Sequence, residues 1–178
     1  MNDTWQRCFI ALTPDVSTRQ RLASLPVHPR ARRVDAADLH LTLAFLGALA
    51  PAQARHLCDA LTQLAGPLPA LAFGGLERWP DEQRPRVEVA VFALPEELAA
   101  VVRRLHPWLT AMGLPVDSRP FRPHFTLARF RHGDGAVHPA AAAIQPFDAH
   151  VETLSLYARS AQPAGPRYTL LAAAALNP

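Results

Sequence analysis

The stretches His40-Leu41-Thr42-Leu43-Ala44-Phe45-Leu46 and His124-Phe125-Thr126-Leu127-Ala128-Arg129-Phe130 share the tetrad H-x-T-L, and their reading decides the fold. Alternation predicts a strand in each. In the first, spanning about 39–46, His40, Thr42 and Ala44 fall on one face, and Leu41, Leu43 and Phe45 on the other. In the second, spanning 124–130, His124 and Thr126 share a face. With 8 His, 9 Thr and 25 Leu in 178 residues, about 0.06 copies of the tetrad are expected by chance, so a matched pair stands well above background.

Working outward, each tetrad closes the same local plan. Residues 7–13 (RCFIALT) read as a strand, followed by Thr13 as an N-cap, Pro14 as a first helical position and a helix to about Leu25. After the first tetrad, Pro51 opens a helix with Leu57, Leu61 and Leu64 on its core side. The second half starts with a strand over 86–94 (RVEVAVFAL). Pro95, Glu96 and Glu97 then open a helix that Pro107 should kink and Gly113 should end. Two further strands, about 149–159 and 167–174, complete the chain. The repeat of strand, Pro-opened helix and H-x-T-L strand suggests two similar lobes, each presenting one H-x-T-L strand. No linker separates the lobes, so residues 1–178 are expected to form one domain.

Composition narrows the function classes. Apolar residues make up 49% of the chain, which is neither a disordered composition nor one with a membrane-length apolar run. The N-terminus lacks signal-peptide character, and an intracellular, cytoplasmic protein is the expectation. The 2 cysteines, Cys8 and Cys58, have no C-x-x-C spacing and read as small buried hydrophobes. All 18 basic residues are arginine, a side chain suited to phosphate, although the abundance of Ala and Pro also fits a GC-rich coding bias. A net charge of +3 is too small for a protein that wraps nucleic acid.

Strand geometry gives the tetrads their chemistry. Residues i and i+2 project from one face, so each tetrad offers one imidazole and one hydroxyl together. Two such strands facing each other would gather His40, Thr42, His124 and Thr126 around one cavity. A histidine pair can act as one base and one acid, and threonine hydroxyls can donate to phosphate oxygens. That set suits attack of water on a phosphodiester. There is no H-E-x-x-H, no second His at i+4 and no nearby carboxylate set, so no metal and no cofactor are expected. The bland alternative is that both are ordinary strand histidines.

The segments HLTLAFLG and RPHFTLAR resemble the paired signatures of the two-histidine phosphoesterase superfamily, and within it the LigT-like RNA 2′,3′-cyclic phosphodiesterases, also called the 2′-5′ RNA ligase family. The opening RCFIALTPDVSTRQRL and the ending LSLYARSAQPAGPRYTLL are similar to the family's first strand and helix and its last hairpin. The resemblance implies an α+β fold of two pseudo-symmetric lobes, with antiparallel sheets flanked by helices around a central cleft, and an enzyme that opens RNA 2′,3′-cyclic phosphate ends to 2′-phosphomonoesters. It makes His40 the proton donor to the leaving 3′-oxygen and His124 the proton acceptor from water. Thr42, Thr126 and Arg129 would hold the phosphate, and Phe45 would stack on the base. Leu41, Leu43, Phe125 and Leu127 complete the two motifs. Phe45 and Arg129 stand at the wrong parity for this, and need a strand end or a bulge.

Other readings stay open: a small cyclic-phosphate nucleotide as substrate, 2′-5′ ligation as the reverse reaction, or RNA binding without turnover. The expected partner is RNA or such a nucleotide, with no membrane, no obligate protein partner and a monomeric state. His56, His106, His132 and His138 read as surface residues, and Trp5, Trp79 and Trp108 as packing residues. Arg119, Arg122 and Tyr168 are candidates to border the cleft.

Overall fold

The computed structural model describes residues 4–131, 144–159 and 167–176. Their elements run β1 (Trp5–Pro14), α1 (Val16–Ser24), β2 (Arg32–Arg33), a 3-10 turn (Ala36–Asp38), β3 (Leu41–Leu49), α2 (Pro51–Leu64), β4 (Leu71–Trp79), β5 (Val87–Phe92), α3 (Glu96–Ala111), β6 (His124–Arg129), β7 (Asp148–Ala149), β8 (Val151–Arg159) and β9 (Tyr168–Ala175). All strand pairs are antiparallel.

The strands form one nine-stranded sheet in the order β7-β4-β5-β6-β3-β1-β8-β9, with β2 beside β6. The two tetrad strands, β3 and β6, are neighbours at its centre and meet at one registered pair, Leu41 and Phe125. The rest of the order is balanced about that pair: β1, β8 and β9 lie on one side, and β5, β4 and β7 on the other. The expected lobes are compatible with these halves. Between β3 and β6 themselves there is a single bridge, so the β2–β6 pairing and side-chain packing also hold the junction. Leu41 and Phe125 are both 0% exposed, within one apolar cluster that also takes Ile10, Leu12, Leu57, Leu61, Leu98 and Leu105.

Several local signals act where the sequence places them. Pro51 begins α2, whose buried side is Ala54, Leu57, Ala60, Leu61 and Leu64. The end of α3 turns at Gly113, at φ +67, a left-handed backbone that costs glycine little. There the Leu114 N–H reaches back to the Leu109 carbonyl at 2.9 Å and the Gly113 N–H to Thr110 at 3.0 Å. Helix α3 continues through Pro107. One expected cap differs. Thr13 stays in β1, and Asp15 caps α1 by accepting from the Thr18 N–H at 2.7 Å. Strand β4 was not expected, because FGGLERW has glycines where alternation would be read.

Candidate active site

Two bulges decide which side chains share a face with the histidines. Between β1 and β3, Ile10 pairs with Ala44 but Ala11 pairs with Thr42, so Leu43 is an extra residue in β3. Between β5 and β6, Glu88 pairs with Ala128 but Val89 pairs with Thr126, so Leu127 is an extra residue in β6. Both bulges fall on the last residue of a tetrad. Each reverses the alternation after it. Phe45 therefore joins Thr42 and His40 on one face, and Arg129 joins Thr126 and His124. The regular reading that put Ala44 beside His40 and turned Phe45 away is corrected by this bulge. Ala128 is buried on the core side and Ala44 packs against the core.

The Leu41–Phe125 pair fixes the rest. Continued by one residue each way, its antiparallel register sets His40 opposite Thr126 and Thr42 opposite His124. Each histidine stands one residue before a member of that pair, and the two are close enough for the charge of one to bear on the other. The four side chains share the face that Leu41 and Phe125 do not use.

Both imidazoles are held in the same way. His40 Nδ1 lies 2.6 Å from the Asp38 carbonyl, and His124 Nδ1 lies 2.8 Å from the Arg122 carbonyl. In each case the partner is two residues back. A carbonyl only accepts, so Nδ1 carries the proton and donates. Nε2 is then an acceptor in the neutral ring and a donor in the charged one.

Their surroundings differ. The His40 ring stacks on Phe9 at 4.7 Å between centroids and meets the edge of Tyr168 at 5.3 Å. Tyr157, beyond Phe9, bonds through its hydroxyl to Thr13 Oγ1 at 2.9 Å. His124 packs against Trp79 at 4.5 Å. The Trp79 Nε1–H donates to Glu77 at 2.7 Å, and Arg122 spans the group: its guanidinium lies 4.9 Å over the Trp79 ring and donates to both Glu77 oxygens at 2.7 and 2.8 Å.

These surroundings set the proton affinities. Burial pushes the His40 imidazole down from an ordinary 6.5 to about 4. Its hydrogen bond to Asp38 opposes the shift, while the positive charges of Arg129 and His124 add to it. Burial also lowers His124, opposed by the Arg122 carbonyl and the Glu77 carboxylate and aided by the Arg122 guanidinium. Burial thus favours the neutral form of both rings in the free protein. An anion between them favours a proton on one, because opposite charge within about 4–6 Å stabilises the cation.

The site thus gathers His40, Thr42, Phe45, His124, Thr126 and Arg129, with Tyr168 at its border. Phe45 is 71% exposed, an unusual position for a phenyl ring whose ring neighbour among the described residues is Phe9, 6.3 Å away. Arg119 is exposed and paired with Asp117, so it is not among these residues. His132 and His138 lie outside the described residues. Phe9, Glu77, Trp79 and Tyr157 were not legible as site residues. Trp79 packs, as expected, and the ring it packs against is His124; only cross-strand neighbours reveal it. A cavity of about 590 Å³, lined by His28, Phe73, Glu77, Arg78 and Glu88 among others, contains none of the motif residues. Among the described residues no group of three or more His, Cys, Asp or Glu side chains could hold a metal. No helix among them is long and apolar enough to cross a membrane.

Two anchored imidazoles, two hydroxyls and a guanidinium on one sheet face can bind a phosphoryl group and move protons on two sides of it. The profile of the LigT-like phosphoesterase family matches residues 16–89 and 91–168. An RNA 2′,3′-cyclic phosphodiesterase of Geobacillus stearothermophilus is 32% identical over 106 residues, covering 58% of this chain and 34% of that protein. One of Bacillus subtilis is 31% identical over 94 residues, covering 52% and 51%. The matched parts thus span about a third to a half of those relatives' own length. Along nearly the whole chain, the crystal structure of Escherichia coli LigT complexed with 3′-AMP superposes with a TM-score of 0.71 at 27% identity, covering 97% of this chain and 99% of that one. With the family profile matched on both halves, and each half contributing one histidine, the chain belongs to the LigT-like phosphoesterase family.

Proposed function

We propose that this protein hydrolyses RNA 2′,3′-cyclic phosphate ends to 2′-phosphomonoesters, with no metal and no nucleotide cofactor. The observation that carries this reading is the matched presentation of the imidazoles: each Nδ1 is anchored on the carbonyl two residues back, which leaves Nε2 for the substrate. The relatives' names support the substrate class.

In the reaction, His124 Nε2 takes a proton from water as the water oxygen attacks phosphorus. The bond from phosphorus to the 3′-oxygen breaks, and His40 Nε2–H gives that oxygen its proton. In-line displacement puts the attacking and leaving oxygens on opposite sides of phosphorus, which suits imidazoles supplied from two different strand segments. Thr42 and Thr126 donate to the non-bridging oxygens. Arg129 offsets their charge, and Phe45 offers a face for the terminal base. Residues 1–178 act as one phosphoesterase domain, monomeric and cytoplasmic, and the free thiols of Cys8 and Cys58 suit a reducing compartment.

One observation favours the opposite roles. Arg129 disfavours a proton on His40, whereas Glu77 favours one on His124. A substrate whose leaving group needs no proton separates the two assignments. It rescues His40→Ala if His40 is the acid, and His124→Ala if the roles are reversed.

Product analysis tests the function itself. RNA ending in a 2′,3′-cyclic phosphate, incubated with the protein and EDTA, should yield the 2′-phosphomonoester alone. A 3′-phosphate product, or activity only after a divalent ion is restored, would overturn this reading.

A further inference from the structure

The short strand β2 carries a charge pattern that hydrolysis of a small cyclic phosphate does not explain. Arg32 is registered directly opposite Arg129, and Arg33 opposite Ala128. Directly opposed residues share a face, so Arg32 stands on the face of the histidines beside Arg129. Like charges directly opposite each other in a sheet are destabilising. Both arginines are exposed. Among the described residues Arg78, Arg103, Arg119 and Arg122 each pair with a carboxylate, and neither Arg32 nor Arg129 does. Arg33, on the other face, is engaged with the main chain and donates to the Leu25 carbonyl at 2.7 Å.

The position of Arg32 is fixed by backbone pairing. Its strand lies against β6 at the Leu127 bulge, where the Val34 N–H donates to the Leu127 carbonyl at 2.8 Å. The same bulge turns Arg129 toward the histidines. Two arginines thus occupy directly opposed positions on paired strands, and no carboxylate among the described residues pairs with either.

A cyclic phosphodiester carries one negative charge, which Arg129 can meet alone. The second cation calls for a second anion on the same ligand. Resting on the cyclic-phosphodiesterase reading, the geometry points to Arg32 as the binding site for the internucleotide phosphate 5′ to the terminal nucleotide. The preferred substrate is then an RNA strand of at least two nucleotides, not a mononucleotide. Arg32 is a specificity residue that meets the strand and takes no part in proton transfer. A planar fork on a fixed strand suits a phosphate, which it can grip with two parallel N–H donors.

The test compares a nucleoside 2′,3′-cyclic phosphate with a dinucleotide ending in the same cyclic nucleotide, using wild type, Arg32→Ala and Arg32→Lys. In Arg32→Ala the ratio of kcat/KM for dinucleotide over mononucleotide should fall about 5- to 30-fold, carried by KM. Arg32→Lys should recover part of it. The salt slope for the dinucleotide should become shallower by about 1. A dinucleotide with an uncharged methylphosphonate linkage should no longer distinguish wild type from Arg32→Ala. An unchanged ratio, or an equal loss on both substrates, overturns the role of Arg32 and leaves the cyclic-phosphodiesterase reading standing. Failure of the wild type on both substrates overturns that reading, and this inference with it.

Discussion

Nδ1 of each histidine is committed to a main-chain carbonyl, so tautomer and ring orientation do not depend on the substrate. What differs is the electrostatic neighbour: Glu77 favours the proton on His124, and no described carboxylate does so for His40. Removing that carboxylate charge lowers the affinity of His124 for its proton. In Glu77→Gln the limb of the kcat/KM–pH profile that reports His124 should therefore move to lower pH. The shift should be a fraction of a unit to about one unit, given that a unit is about 1.4 kcal/mol. Glutamine keeps an acceptor for Trp79, so the fold should hold. An unmoved profile would show that Glu77 only props Trp79. At this scale the sequence was most informative for residues that recur. His40, Thr42, His124 and Thr126 stand out because two tetrads match. Glu77 and Trp79 do not, because nothing local marks a residue on β4 as the neighbour of one on β6.

Strands β3 and β6 place the four motif side chains through one pair, Leu41 and Phe125, whose side chains point into the core. Truncation there should disturb stability and site together. Leu41→Ala and Phe125→Ala should each cost about 3–5 kcal/mol in urea unfolding, the loss expected for a buried large side chain that leaves a cavity. At low temperature, where the variants remain folded, turnover should also fall, because the bridge sets the spacing of the imidazoles. Loss of stability with normal turnover would show that the spacing is held elsewhere. Period-2 alternation finds both strands but predicts neither bulge. Leu43 and Leu127 are apolar and fit a regular strand as well as a bulged one, and the extra residue shows only against β1 and β5. Phe45 and Arg129 were thus identified by resemblance, with a geometry that the unbulged strand could not supply.

For the whole molecule, the site is a stability cost that depends on pH. The folded His40 binds its proton less tightly than the unfolded one, at about 4 against 6.5. Between those values the unfolded state holds more protons, so stability falls as pH drops from 7 through that window. The loss attributable to His40 should reach about 2 kcal/mol by pH 5, and His124 adds in the same direction. Thermal melts at pH 7.5 and pH 5 check this: His40→Ala should show a smaller drop than wild type, and an equal drop would remove His40 as the cause. The balanced strand order about the centre of the sheet follows from the repeat, which is why a two-part plan was legible from order alone. The continuity of nine strands through one bridge was not, since no segment signals which strand edges meet.

The most direct test of the two-histidine account is the single-turnover rate on RNA ending in a 2′,3′-cyclic phosphate, measured for wild type, His40→Ala, His124→Ala and the double variant. The chemistry needs both imidazoles on one transition state. Each single variant should therefore lose about 10²–10⁴-fold with the fold and RNA binding retained, and the double variant far less than the product of the two losses. Wild-type turnover in either single variant would show that the paired H-x-T-L motifs only build the sheet, and would contradict the account.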